Sequence, residues 1–256
     1  MDDIEKGREL SEFQIRNIQI LTHLLQNNAV TDEIVECLRQ SELEYFSLVD
    51  KYHLLEQKVN IDEKTNLLKY KSDYLTTIVK TASRVFYGVQ GVSYSVSFIR
   101  FDIDNFSQFN NRYGHEVGDE MLIRVATVIK DNSRPTDYVI RFGGEEIDVI
   151  LPSTELRGAI DYCEKIFEKI SEISLKRRKE VLKVSVSAGI SSTVVKFGAK
   201  RHINAKDVEK LYRDLQMEAD NALYEAKYLG KNKYCVYDPE KKEDYGRIRK
   251  LYVKKE

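Results

Sequence analysis

No proline occurs before Pro135, and residues 1–60 contain a single glycine, Gly7. With so few residues that break or bend a helix, this stretch is free to form long helices. From Ile34 onward apolar side chains recur on a seven-residue beat. Leu38, Tyr45, Tyr52 and Val59 make one row and Ile34, Leu48 and Leu55 the other, with Ser41 interrupting. Charged residues fill the spaces between. The pattern reads as a short coiled coil of about four heptads, with an amphipathic helix lying on its own domain as the alternative. Residues 4–26 carry a second helical pattern, and Asn27-Asn28 a break. Region 1–61 is therefore expected to be helical, and regulatory or dimerising.

After Asp62 the texture changes. The spacing predicts a helix over Leu67 to Phe86, ending near Gly88 and Gly91, and a strand in YSVSFIRFDID. A helix follows over Gly118 to Lys130, then a hairpin in DYVIRFGGEEIDVILP and a helix over Glu155 to Ser174. VLKVSVSAGI predicts a strand, Asp207 to Leu229 a helix and KYCVYD a final strand. Strands and helices alternate around one sheet across residues 62–238, which sets the class as α/β or α+β with mixed strand directions. The stretch 239–256 is highly charged and is expected to be a loose tail.

Composition narrows the function classes. Apolar residues make up 42% and charged residues 32%, a balance that suits a folded, soluble protein. Forty-one basic against 42 acidic residues leave a net charge of −1, so bulk charge does not call for a nucleic acid polymer or an acidic membrane. Cys37, Cys163 and Cys235 are widely spaced without a CxxC pair, which fits a reducing compartment better than a disulfide or zinc framework. The charged start MDDIEKGREL lacks the apolar core of a signal peptide. The longest mainly apolar stretches, such as Ile18 to Leu25, fall far short of the ~20 residues that span a bilayer. No membrane insertion and a cytoplasmic location are the expectations.

Two acidic motifs carry the chemistry. Asp102-Ile103-Asp104 ends an apolar strand, and carboxylates at a sheet edge can hold Mg²⁺, which keeps substrate phosphates in its shell. Gly143-Gly144-Glu145-Glu146 lies between two β-rich runs: paired glycines suit a tight turn, and adjacent acids repel unless a cation offsets them. Singly, each has a plain alternative, a turn residue or a solvated hairpin tip. Together they suggest two-metal phosphoryl or nucleotidyl transfer, in which cations bridge the nucleotide phosphates. Phe106, Phe109 and Leu122 read as core or pocket wall, and His115 as a hydrogen-bonded structural residue.

FDIDNFSQFNNRYGHEVGDEML followed by RFGGEEI resembles the GGDEF family of diguanylate cyclases, in its GGEEF variant, here GGEEI. The likeness runs from about Asp62 to Asp238 and includes ALYEAKYLGKNKY. It implies an α+β fold with a central mixed, mainly antiparallel five-stranded sheet flanked by helices, of the nucleotidyl-cyclase or polymerase-palm kind. It also implies condensation of two GTP into cyclic di-GMP and two pyrophosphates by a homodimer, with Mg²⁺ or Mn²⁺. Asp102 and Glu146 match the metal carboxylates, and Ile103 the backbone carbonyl that completes the site. Glu145 matches the acid assigned to metal binding or to deprotonating the 3′-hydroxyl, so the likeness implies that Asp102, Glu145 and Glu146 converge around divalent cations. Asn110 and Asp119 match the guanine readers, a carboxylate accepting from guanine N1–H and N2–H₂ where adenine offers no such donors. The plain alternative for NRYGHEVGDE is a helix start with Asp119 as N-cap. Lys227 and Lys231 match triphosphate contacts. Arg134-Pro135-Thr136-Asp137, with five residues separating Asp137 from Gly143, matches the inhibitory product site, Pro135 also suiting a surface turn.

The chain departs from the family pattern at three places. The opening D-x-L-T-G-L-x-N-R appears as Asp62-Glu63-Lys64-Thr65-Asn66-Leu67-Leu68-Lys69-Tyr70. Ser107 stands where the family has a triphosphate lysine, a loss of about 1.5–3 kcal/mol for one charge-assisted hydrogen bond. Ile147 replaces the last aromatic residue of the signature. The alternative to an enzyme is a degenerate domain acting as a receptor for GTP or cyclic di-GMP, with little or no turnover. Survival of the signature acids favours the enzyme.

Overall fold

The computed structural model describes residues 12–27, 29–41, 44, 47, 60–85, 93–177, 180–196 and 204–253. Two compact units divide the chain, Met1–Val59 and Asn60–Glu256. In the first, helix α1 spans Glu12–Gln26. It ends at Asn27, whose side-chain amide donates to the His23 carbonyl at 2.8 Å. Helix α2 covers residues 32–41 and opens on Thr31, whose hydroxyl accepts the Ile34 N–H at 3.3 Å, an N-cap arrangement. Ile34 and Leu38 of the heptad pattern fall in α2; Tyr45, Leu48, Tyr52, Leu55 and Val59 lie outside the described residues. Among the described residues, no helix is long and apolar enough to cross a membrane.

The second unit is built on β2 (Ser93–Ile103), with β1 (Leu68–Lys69) and α3 (Tyr74–Val85) before it. After β2 come α4 (Phe106–Tyr113), α5 (His115–Asp131), β3 (Tyr138–Gly143) and β4 (Glu146–Pro152). Then follow α6 (Leu156–Glu172), β5 (Leu175–Arg177), β6 (Glu180–Leu182), β7 (Val186–Lys196), α7 (Ala205–Tyr228) and β8 (Tyr234–Val236). A short 3₁₀ turn, Pro239–Lys241, leads into α8 (Lys242–Val253). The sheet order is β1-β3-β4-β2-β7-β8, with parallel pairs at both edges and antiparallel pairs between.

Both faces of this sheet are covered, and the period-two alternation of β2 sorts its residues between them. Ile99, Phe101 and Ile103 enter one core with Leu122 and Val125 of α5 and Cys163 and Ile166 of α6. Val96 and Phe98 enter the other, with Leu75 and Val79 of α3 and Tyr212 and Leu215 of α7. Arg100 and Asp102 continue this second row, so the polar end of β2 faces the α7 side.

Four expectations are corrected. The main sheet has six strands, not five, because the two-residue β1 pairs in parallel with β3; so short a strand carries no readable alternation. Consequently the predicted helix from Leu67 begins only at Tyr74. The run VLKVSVSAGI is not one strand: Leu182 closes a separate hairpin of β5 on β6, and β7 starts at Val186. The segment after Pro239 is not a loose tail. Asp238 caps its first turn, accepting the Glu240 N–H at 3.0 Å, and Tyr245, Ile248 and Tyr252 form a buried or half-buried stripe one side of α8.

Candidate active site

The β3–β4 hairpin turns on two residues, Gly144 and Glu145. Only Gly144 of the glycine pair takes a positive φ, +49°. An irregularity between Arg141 and Gly143 shifts the register, and from there Glu146 pairs with Gly143 on one side and Asp102 of β2 on the other. Residues directly opposed across antiparallel strands hold their Cβ atoms about 4.5–5.5 Å apart, so Asp102 and Glu146 are neighbours on one face. Burial pushes the Glu146 carboxyl above its ordinary value; Arg100 pulls it back, and Asp102 adds repulsion. Burial likewise pushes Asp102 up, opposed by Lys227 and reinforced by Glu145 and Asp104.

The two acids of the DxD motif separate in role. Asp104 is saturated: it accepts the Ser185 and Ser187 hydroxyls, each at 2.6 Å, and the Asn232 N–H at 3.0 Å. It ties the end of β2 to the loops before β7 and β8. Both acids line a cleft of about 220 Å³, with Ile103, Ser107, Glu145, Lys227, Lys231 and Tyr252. Lys227 Nζ lies 2.8 Å from Asp102 Oδ1. At the end of α7 the Lys231 N–H reaches back to the Ala226 carbonyl at 3.1 Å, which turns the chain so that Lys231 Nζ meets Asn105 Oδ1 at 2.6 Å.

The donor set suits a divalent cation. Asp102, Glu146 and the backbone of Ile103 offer only oxygen, and two carboxyl groups sit together where burial and repulsion both oppose their charge. The ammonium of Lys227 already stands against Asp102 as a cation would. Three carboxylates do not close on one point, however: among the described residues no three His, Cys, Asp or Glu side chains form a metal-holding group. The expected convergence of three acids is not met: Asp102 and Glu146 are opposed across the strands, and Glu145, not Glu146, lines the cleft with Asp102.

Asn110 lies on α4, one turn beyond Phe106 of the cleft wall, and Asp119 on α5. Asn110 packs on Gly118: a Cβ there would fall 1.7 Å from Asn110 Oδ1, so glycine alone admits the amide against α5. Asn110 Oδ1 is buried without a partner. Asp119 is not an N-cap, since α5 begins at His115 after Gly114. Its Oδ2 accepts from Lys64 Nζ at 2.6 Å. Neither Asn110 nor Asp119 lines the cleft around Asp102. His115 is exposed at the first position of α5, not the tied structural residue expected. Phe106 and Leu122 are buried as expected.

Arg134 and Asp137 form a closed turn. The Asp137 N–H donates to the Arg134 carbonyl at 3.0 Å with Pro135 between, and the Arg134 N–H donates to Asp137 Oδ2 at 2.7 Å. Arg134 is exposed, while Asp137 Oδ1 is buried without a partner.

Two arginines escaped the sequence reading. Arg141 bonds the Gly144 carbonyl at 3.2 and 3.0 Å and Asp62 Oδ1 at 2.9 Å, joining the acidic hairpin to the turn that opens the domain. Arg100 forks onto its cross-strand partner Asp148 at 2.7 and 2.8 Å and lies 4.0 Å from the centre of the Phe142 ring. An arginine and an aspartate in otherwise apolar strands were the available signal.

The family model described as "Diguanylate cyclase, GGDEF domain" matches residues 62–233. The chain belongs to the GGDEF family. Among relatives, the probable diguanylate cyclase DgcT of Escherichia coli (strain K12) is 31% identical over 177 residues, 69% of this chain and 35% of that protein. The response regulator PleD of Caulobacter vibrioides is 28% identical over 236 residues, 91% of this chain and 48% of that one. The solved coiled coil and GGDEF domain of DgcB from Caulobacter crescentus, in complex with c-di-GMP, superposes with a TM-score of 0.60 at 25% identity, covering 80% of this chain and 100% of that chain. The chain spans about a quarter to a half of the length of the curated relatives it matches.

Proposed function

We propose that this GGDEF domain is a diguanylate cyclase, condensing two GTP into cyclic di-GMP with release of two pyrophosphates. The observation that carries the reading is the direct cross-strand opposition of Asp102 and Glu146 beside a cleft that also holds Glu145, Lys227 and Lys231. Asp102, Glu146 and the Ile103 carbonyl would hold Mg²⁺ or Mn²⁺, which when bound neutralises triphosphate charge and lowers the barrier to displacement at phosphorus. Lys227 and Lys231 bind the triphosphate, and Asn110 and Asp119 read the guanine. Glu145 takes the proton of the 3′-hydroxyl as that oxygen attacks the α-phosphorus of the second GTP, and pyrophosphate leaves with the displaced bond's electrons. One half-site holds one nucleotide, so closing the ring requires two protomers facing each other. The helical region 1–61 would raise the effective concentration of one half-site near the other. Arg134 and Asp137 would bind cyclic di-GMP and restrain turnover. With GTP as substrate, the working compartment is the cytoplasm.

Incubation with GTP and Mg²⁺ tests the reading. Cyclic di-GMP is expected from the parent and at least about a hundredfold less from Glu146→Gln, the loss of one charge-stabilising group in the transition state. Equal, background product from both, with cyclic di-GMP still bound by the parent, would leave a receptor in its place.

A further inference from the structure

The segment that departs most from the family pattern, residues 62–67, is held firmly. Asp62 Oδ1 accepts the Thr65 N–H at 2.9 Å and its hydroxyl at 2.7 Å. Backbone bonds of 2.8 Å run from Asn66 N–H to the Asp62 carbonyl and from Asp62 N–H to the Leu67 carbonyl. Arg141 anchors the turn from β3, and Lys130 of α5 donates to the Asn66 carbonyl at 2.6 Å. Thr65 and Leu67 are buried. So many ties around one short turn fix the backbone that carries Lys64, and Lys64 Nζ meets Asp119 at 2.6 Å. Both side chains are about two-fifths exposed, 42% and 41%, so a ligand can reach them. An exposed pair like this stabilises a fold very little, which leaves its placement without a structural purpose.

The pair has the shape of a base edge. Guanine presents an acceptor, O6, beside the donors N1–H and N2–H₂. A carboxylate matches the two donors and leaves O6 bare; an ammonium beside that carboxylate supplies the missing donor. Adenine in the same seat would set its N6–H₂ donor against the ammonium and its N1 acceptor against the carboxylate, repulsive at both positions. We infer that Lys64 is a specificity-determining residue that donates to guanine O6 while Asp119 accepts from N1–H and N2–H₂. The inference rests on Asp119 being a base reader, and goes beyond it by assigning the third contact to a residue of the opening turn.

Calorimetric binding by the full chain separates the two. The probes are 3′-deoxy GTP, which cannot react, and its thio-analogue in which sulfur replaces O6. The parent is expected to prefer the oxygen form by about tenfold, the scale of one charge-assisted hydrogen bond. Lys64→Met should weaken 3′-deoxy GTP by a similar factor and bring the two probes to near parity, while Lys64→Arg keeps the preference. If Lys64→Met instead binds 3′-deoxy GTP as well as or better than the parent, Lys64 only competes for the carboxylate and the inference is overturned. Asp119→Ala is the second arm: loss of binding there with no effect at Lys64 sinks the O6 contact alone. Unchanged binding by Asp119→Ala overturns the base-reading role itself.

Discussion

Asp62, through Arg141, ties the turn that opens the domain to the acidic hairpin. Burial works against its charge, but the Thr65 hydroxyl and N–H and the Arg141 guanidinium outweigh that, and its carboxyl lies below the ordinary 3.8. A carboxyl depressed on folding contributes stability that is complete above its unfolded value and is lost as pH falls through the folded one. Asp62→Asn is therefore expected to cost about 1–2 kcal/mol near neutrality, on the scale of hydrogen bonds to a charged group. Thermal melts of parent and variant should converge as pH drops below 3.8, the ordinary carboxyl value. A deficit that stays constant with pH would mean the carboxylate charge is not what holds the turn.

At the scale of elements, α8 is the addition with most consequence. It lies beyond the matched residues 62–233, yet it packs along α7 and puts Tyr252 into the cleft wall. Arg249 reaches Asp220 of α7 at 3.1 Å, and the Tyr252 ring meets that of Tyr224 edge-on at 5.8 Å. Lys231 Nζ lies 5.6 Å from the centre of the Tyr252 ring, within the range of a cation–π contact. Such a contact holds the ammonium toward the cleft before substrate arrives. Tyr252→Ala is expected to raise KM for GTP about two- to fivefold, and Tyr252→Phe, which keeps the ring, to restore it. Equal KM values for Ala, Phe and parent would reduce α8 to packing. The charged composition of 239–256 conceals this helix because only three of its positions, spaced over two turns, need be apolar or aromatic.

Over the whole molecule, the proposed cycle needs two half-sites, and the Arg134–Asp137 turn is where product control is proposed. Its exposed guanidinium can fork onto a phosphate or a guanine edge, while both Asp137 oxygens are turned inward, one bonded to the Arg134 N–H and the other buried. With product accumulating, the parent's progress curves should bend, whereas Arg134→Ala should require at least about tenfold more cyclic di-GMP for the same slowing, the loss expected for a forked charge-assisted contact. Identical curves would remove the turn from regulation.

What could be read from the chain alone is what lies close together along it. The Asp102 strand end and the Gly143 to Glu146 hairpin are each complete within a few residues, so these elements and the class of fold were legible, as was the turn at Pro135. The pairings were not. Asp102 meets Glu146, Lys64 meets Asp119, and Asn105 meets Lys231 across 126 positions. Each depends on strand register or helix packing, and a slip of one residue would send the same side chain to the opposite face. Asp102 and Asp104 show the limit most clearly: two like residues, two apart, both buried at the cleft, of which one is bound by three hydrogen bonds and the other meets Lys227.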